Sequence, residues 1–83
     1  MNVNVKFNPK EQSATLEFKL ADFSKELDFQ ECLGTIVVFC SDFYLDPELD
    51  LVDIKDFVKQ GKENDKNSVL FDLSEEGLEL EFL

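Results

Sequence analysis

Hydrophobic and polar positions alternate at both ends of the chain. Val3, Val5 and Phe7 alternate with Asn4 and Lys6, a period of two that predicts a half-buried strand. Asn8-Pro9-Lys10-Glu11 carries turn chemistry. Ala14, Leu16, Phe18 and Leu20 then alternate with Thr15, Glu17 and Lys19, predicting a second strand that pairs with the first as an antiparallel hairpin. Near the C-terminus Val69, Phe71 and Leu73 recur with a period of two, and Leu78, Leu80 and Phe82 alternate with Glu79 and Glu81. Ser74-Glu75-Glu76-Gly77 joins these two as a four-residue hairpin loop, with Gly77 free to take positive φ.

The middle of the chain is less regular. Phe23 and Leu27 are four apart, one helical turn, whereas Leu27 and Phe29 alternate with Glu26 and Asp28 as in a strand. A loop followed by a strand over about 26–31 is expected, ended at Leu33-Gly34. Thr35-Ile36-Val37-Val38-Phe39-Cys40 is the most apolar run and is rich in β-branched residues, which predicts a central strand covered on both faces. Tyr44 and Leu45 extend it past a bend near Ser41-Asp42. Leu51, Ile54, Phe57 and Val58 then recur at helical spacing. Two starts compete for this helix. Pro47 suits a first helical position, and Asp50 with Asp53 resembles a capping pair. Gly61 after Lys59-Gln60 predicts its end. Lys62–Asn67 is a polar loop. The expected fold is α+β: a mainly antiparallel sheet of five or six strands with one helix over about 47–60, in the order β-β-β-β-α-β-β.

Composition narrows the function more than the fold. The 83 residues carry 8 Lys, no Arg or His, and 19 acidic residues, for a formal net charge of −11. That length predicts a single acidic domain over residues 1–83. The 43% apolar content and nine Phe are too rich for a disordered acidic tail. Direct binding to nucleic acid needs clustered Lys/Arg, so it is not expected, and neither is an anionic membrane surface. No apolar run approaches the roughly 18 residues of a membrane span. The stretch Met1–Lys6 lacks the apolar core of a secretory signal, so a cytoplasmic protein with Cys32 and Cys40 as reduced thiols is expected.

Catalytic and metal chemistry find little support. Asp46-Pro47-Glu48-Leu49-Asp50 begins like a calcium-binding EF-hand loop, but the positions needing Gly and Glu hold Leu51 and Phe57. A zinc site lacks ligands, and Ser-His or Cys-His pairs are impossible without His. Glu31 beside Cys32 disfavours a thiolate, and Cys40 reads as a small core hydrophobe. Paired carboxylates of the glycosidase kind need a substrate cleft, for which so short a chain leaves little volume. The three glycines are isolated, so no phosphate loop exists. No cofactor, no resident metal and no enzymatic activity are expected.

The acids themselves remain. Asp42, Asp46, Glu48, Asp50, Asp53 and Asp56 stand against Lys55 alone, and Asp72, Glu75, Glu76, Glu79 and Glu81 against no base. Solvated faces that aid solubility are one explanation. The other is a basic partner, since so many like charges on one small domain repel one another. In size, acidity and α/β patterning the chain resembles phage-encoded DNA mimics, such as uracil-DNA glycosylase inhibitors and some anti-CRISPR proteins. That resemblance implies an inhibitor whose carboxylates stand in for phosphates on a nucleic-acid enzyme. The stretch Gly34–Val38, the helix Leu51–Val58 and Phe71–Leu73 with Leu78–Phe82 are similar in order to small WapI-type immunity proteins, which implies a toxin as partner instead. A structural or assembly subunit that pairs through an edge strand is a further alternative. The expected contact residues are Asp46, Glu48, Asp50, Asp53, Asp56, Glu75, Glu76, Glu79 and Glu81. Tyr44 and Phe43 are candidate aromatic anchors among them, with core packing as the alternative, evenly weighed for Tyr44 and favoured for Phe43.

Overall fold

A computed structural model of residues 1–83 shows an α+β fold of four strands and two helices. Strands β1 (Val3–Asn8) and β2 (Ser13–Lys19) form the first hairpin, and β3 (Ser68–Ser74) and β4 (Gly77–Phe82) form the last. Between them run a short 3-10 turn, Leu20–Asp22, and helices α1 (Glu26–Asp42) and α2 (Leu51–Glu63). The sheet order is β1-β2-β3-β4, antiparallel throughout. The two hairpins therefore meet at the β2–β3 pair, where Leu16 faces Phe71 and Phe18 faces Val69.

Period-two alternation puts one apolar face on this sheet. Ala14, Leu16, Phe18, Val69, Phe71 and Leu73 are buried on it, with Leu78, Leu80 and Phe82 half-buried beside them. The two helices cover that same face. Helix α1 contributes Cys32, Ile36 and Cys40, and α2 contributes Ile54 and Val58. Phe18 makes edge-on contacts with Phe23 and Phe71 at centroid separations of 6.0 and 5.4 Å. Phe57 of α2 stacks on Phe82 of β4 at 4.0 Å. Phe39 and Phe43 of the α1 end close over Phe7 of β1.

The expected strands over 26–31 and 35–40 are instead one 17-residue helix, and the sheet has four strands rather than five or six. The reason is visible in spacing. Phe29, Cys32, Leu33, Ile36 and Cys40 recur at i, i+3, i+4, i+7 and i+11, so the run Thr35–Cys40 supplies only Ile36 and Cys40 as buried core residues of a helical stripe. Val37 and Val38 point to solvent. Strand propensity measures packing on a pleated surface, and the one covered face of the sheet is already filled. The helix start also carries a local signal. The Asp28 carboxylate accepts from the backbone N–H of Ser24 at 2.8 Å and of Lys25 at 2.9 Å, serving donors that the first turn leaves open.

The end of α1 corrects the extension proposed for Tyr44 and Leu45. Leu45 N–H donates to Cys40 O at 2.9 Å while Tyr44 takes φ 57°, and Leu45 and Cys40 are both buried. This is a Schellman closure with Tyr44 in the left-handed position that usually holds glycine. Cys32 and Cys40 lie eight residues apart on α1, about 12 Å along the axis, which excludes a disulfide between them. Burial pushes the Cys32 thiol up to about 12. The Cys40 thiol is also raised, by burial and then by the Asp46 carboxylate. Both are inert core groups.

Helix α2 begins at the second of the two candidate starts. Asp50 accepts from Val52 N–H and Asp53 N–H, so it caps the helix, and Pro47 lies outside it. The helix also runs three residues past Gln60. Gly61 does not end it but lies buried inside it, where a Cβ would stand 2.7 Å from Phe82 and 2.8 Å from Leu20. Close approach to β4 and the 3-10 turn, not chain reversal, is what requires glycine there. Lys62 Nζ donates to the Phe23 carbonyl, and Lys55 pairs with Glu26 at 2.6 Å, so α2 is tied to both ends of the segment that leads into α1. No helix is long and apolar enough to cross a membrane.

Two predictions follow from these contacts. Gly61→Ala should destabilise the fold by about 1–3 kcal/mol, because Phe82 or Leu20 must leave its position. Chemical denaturation measures this, and an unchanged midpoint would contradict the close approach. The second concerns Asp28. The Ser24 N–H chiefly, then Lys25 N–H and the Ser24 hydroxyl, hold its carboxyl below the ordinary value against a smaller opposing effect of desolvation. Its contribution is therefore complete above the unfolded-state value and lost as pH falls through the lowered folded-state value. The stability gap between the native chain and Asp28→Asn should be constant near neutrality and close in acid. A gap that persists in strong acid would rule out the charge as its source.

Candidate functional site

The two acid-rich stretches seen in the sequence meet at one end of the fold. The connection between α1 and α2 carries Asp46, Pro47 and Glu48 alongside the β3–β4 turn. Asp46, Glu48, Glu75 and Glu76 line a single open depression with Pro47, Gly77 and Leu78. The turn is tighter than the four-residue loop expected. Ser74 pairs with Gly77, leaving Glu75 and Glu76 at the tip, and Gly77 takes φ 126°. Glu76 N–H donates to the Ser74 hydroxyl, which fixes the tip locally. None of the four carboxylates lies in an ion pair, the Lys55–Glu26 contact being the only one in the molecule.

A second array lies on the open face of the sheet. Alternation sends Glu79 and Glu81 away from Leu78, Leu80 and Phe82. The register then brings Asp72 directly opposite Glu79. Carboxylate oxygens of Asp72, Glu79 and Glu81 lie within 4.8 Å of one another. Asp72 was absent from the expected contact residues. Its signal was available, because it alternates with Phe71 and Leu73 and a hairpin pairs it with Glu79. The next strands on the same row contribute Thr15 and then Lys6, so the array ends in a base at the far edge. Three carboxylate oxygens, two exposed and that of Asp72 half-buried, suit a hard cation, yet they supply at most half of the roughly six to eight that calcium takes.

The remaining expected contacts separate from these two arrays. Asp50 is committed to capping α2. Asp53 and Asp56 are exposed on α2 and line neither the depression nor the trio. Phe43 belongs to the Phe7–Phe39 cluster, with its ring centroid 4.2 Å from that of Phe7. Tyr44 projects freely, 96% exposed. Its backbone is in the region that disfavours a side chain, so this ring is held outward at a cost in stability. There is no buried polar side-chain atom without a partner.

No protein-family model, curated protein or solved structure matches the chain. The arrangement itself therefore carries the functional argument. It presents fixed negative charge on a folded end and on a sheet face, with one outward aromatic ring.

Tyr44→Gly should stabilise the protein by about 0.5–1 kcal/mol, since glycine takes the left-handed position without steric cost and only part of that gain is offset by chain entropy. Thermal unfolding measures the change. A loss of stability would mean that the Tyr44 ring makes contacts essential to the fold.

Proposed function

We propose that the protein is a non-catalytic acidic binding protein of the cytoplasm that masks a basic, nucleic-acid-binding surface on a partner protein. The observation that carries this is the convergence of Asp46 and Glu48 with Glu75 and Glu76, which are far apart in sequence, into one depression without a base in ion-pair contact. Acidic residues spread only for solubility have no need to gather on one end of the fold. Gathered carboxylates raise the local potential and steer a basic surface toward them, which accelerates encounter at low salt. The depression offers a contact point for Lys or Arg side chains. The Asp72–Glu79–Glu81 trio extends the negative surface over the sheet. A mimic of nucleic acid, of the phage anti-defence kind, needs this combination of fixed anionic groups on a stable scaffold and no chemistry of its own. The partner is then an enzyme that ordinarily grips phosphates.

The test is capture on immobilised protein from bacterial lysate at low salt, with elution at high salt and identification by mass spectrometry. A nucleic-acid enzyme is expected among the eluted proteins. It should be displaced by duplex DNA and missed by the double variant Glu75→Lys, Glu76→Lys. With the purified partner, that variant should slow association and flatten its salt dependence. Equal capture by the variant, or no salt-sensitive partner at all, would overturn the proposal. A toxin bound with high affinity and indifferent to DNA would favour an immunity protein.

A further inference from the structure

Helix α1 has a second face that the core does not use. Leu27, Glu31, Gly34, Val38 and Ser41 are all exposed, and their spacing alternates by four and three. That spacing is the seam by which one helix packs against another. Leu27 is 52% exposed, Val38 63%, and the flanking Val37 52%. Val37 and Val38 are adjacent exposed apolar groups, and Leu27 lies eleven residues, about 16 Å along the axis, before Val38 on the same face.

Gly34 is the informative residue. A Cβ built there meets nothing within 4 Å, and no turn or positive φ calls for glycine. Gly61 is explained by Phe82 and Leu20, but Gly34 is explained by nothing inside this chain. Glycine and β-branched residues are poor choices for an exposed helix interior, where Ala, Leu, Glu or Lys stabilise it more. A bare position at the middle of a seam lets a second backbone come close.

Charge selects the occupant. Helix α1 carries Glu26, Asp28, Glu31 and Asp42 and no base. Glu31 lies within the seam, and neither it nor Asp42 is in an ion pair. A second copy of α1 would set acid against acid in this interface, and an anionic lipid surface would be repelled. We infer that the outer face of α1 is the docking site for an amphipathic, basic helix of the partner protein, crossing closest at Gly34 with its apolar stripe on Leu27 and Val38 and a Lys or Arg on Glu31. This rests on the basic character of the partner proposed above and adds to it a place and a secondary structure.

The probe is a synthetic helical peptide with Leu at its seam positions and Lys on the flanks, added to the full isotope-labelled chain and followed by backbone amide shifts. Two control peptides replace the Leu residues by Gln, or the Lys residues by Glu. The Leu/Lys peptide should bind and shift amides of 27–41, and both controls should bind about tenfold more weakly or worse. Gly34→Gln and Val38→Lys, both exposed and compatible with the fold, should each weaken binding about tenfold. Gly34→Ala should raise the thermal midpoint while weakening the peptide, a pairing that a purely structural role for Gly34 would not produce.

Shifts confined to the acidic depression, with the Leu-to-Gln peptide bound equally well, would overturn the α1 site and leave the basic-partner proposal standing. Equal binding of the Lys-to-Glu peptide would remove the charge basis of both. A concentration-dependent dimer in sedimentation, abolished by Val38→Lys, would assign the face to a second copy instead.

Discussion

The pairing of β2 with β3 is the constraint from which the rest of this fold follows. It joins two hairpins that lie about fifty residues apart in the chain, and it sets Leu16, Phe18, Val69 and Phe71 side by side with no solvent exposure. Burial of four such side chains is worth several kcal/mol on ordinary transfer estimates, but only while something covers them. Both helices are drawn to that one face. The opposite face stays open, and its alternating positions hold Lys6, Thr15, Glu17, Asp72, Glu79 and Glu81, with Leu70 among them. The acidic array is thus the other side of the same period-two pattern that builds the core.

The same constraint places the acidic depression. The intervening segment must leave β2, cross the sheet face twice as helices and return at β3. The turn between the helices therefore lies at the same end as the β3–β4 turn, and Asp46 and Glu48 come beside Glu75 and Glu76. Close packing of α2 onto β4 depends on Gly61, and the α1 start depends on Asp28. Two other positions work against stability. Tyr44 occupies a backbone conformation suited to glycine, while Gly34 occupies a helix interior suited to almost any other residue.

Spacing in the chain was most informative where one face is buried and the other wet. Val3–Phe7, Ala14–Phe18 and Leu78–Phe82 alternate cleanly, Val69–Leu73 alternates but for Leu70, and each lies in a strand of the structure. Of the stripe Leu51, Ile54, Phe57 and Val58, Ile54 and Val58 are core residues of α2 and Phe57 packs against the core, while Leu51 is half-buried at the helix start. Thr35–Cys40 misled because a contiguous β-branched run hides a helical stripe when the apolar residues on its far side are exposed. The stripe becomes legible only when Phe29, Cys32 and Leu33 are read together with Ile36 and Cys40. Gly61 misled for a related reason, since a glycine required by close packing looks the same in sequence as one that ends a helix.

By itself, the sequence determined the four strands, the second helix, the excess of negative charge and the absence of histidine-based chemistry. These follow from local period and from composition, and neither needs a partner elsewhere in the chain. Only the tertiary structure decided that residues 26–42 are a helix, that Asp46 and Glu48 lie beside Glu75 and Glu76, and that Val38 and Gly34 face outward while Ile36 faces in. Those outcomes depend on which faces the β2–β3 pair leaves to be covered. That is a property of long-range packing, to which a short window of sequence has no access.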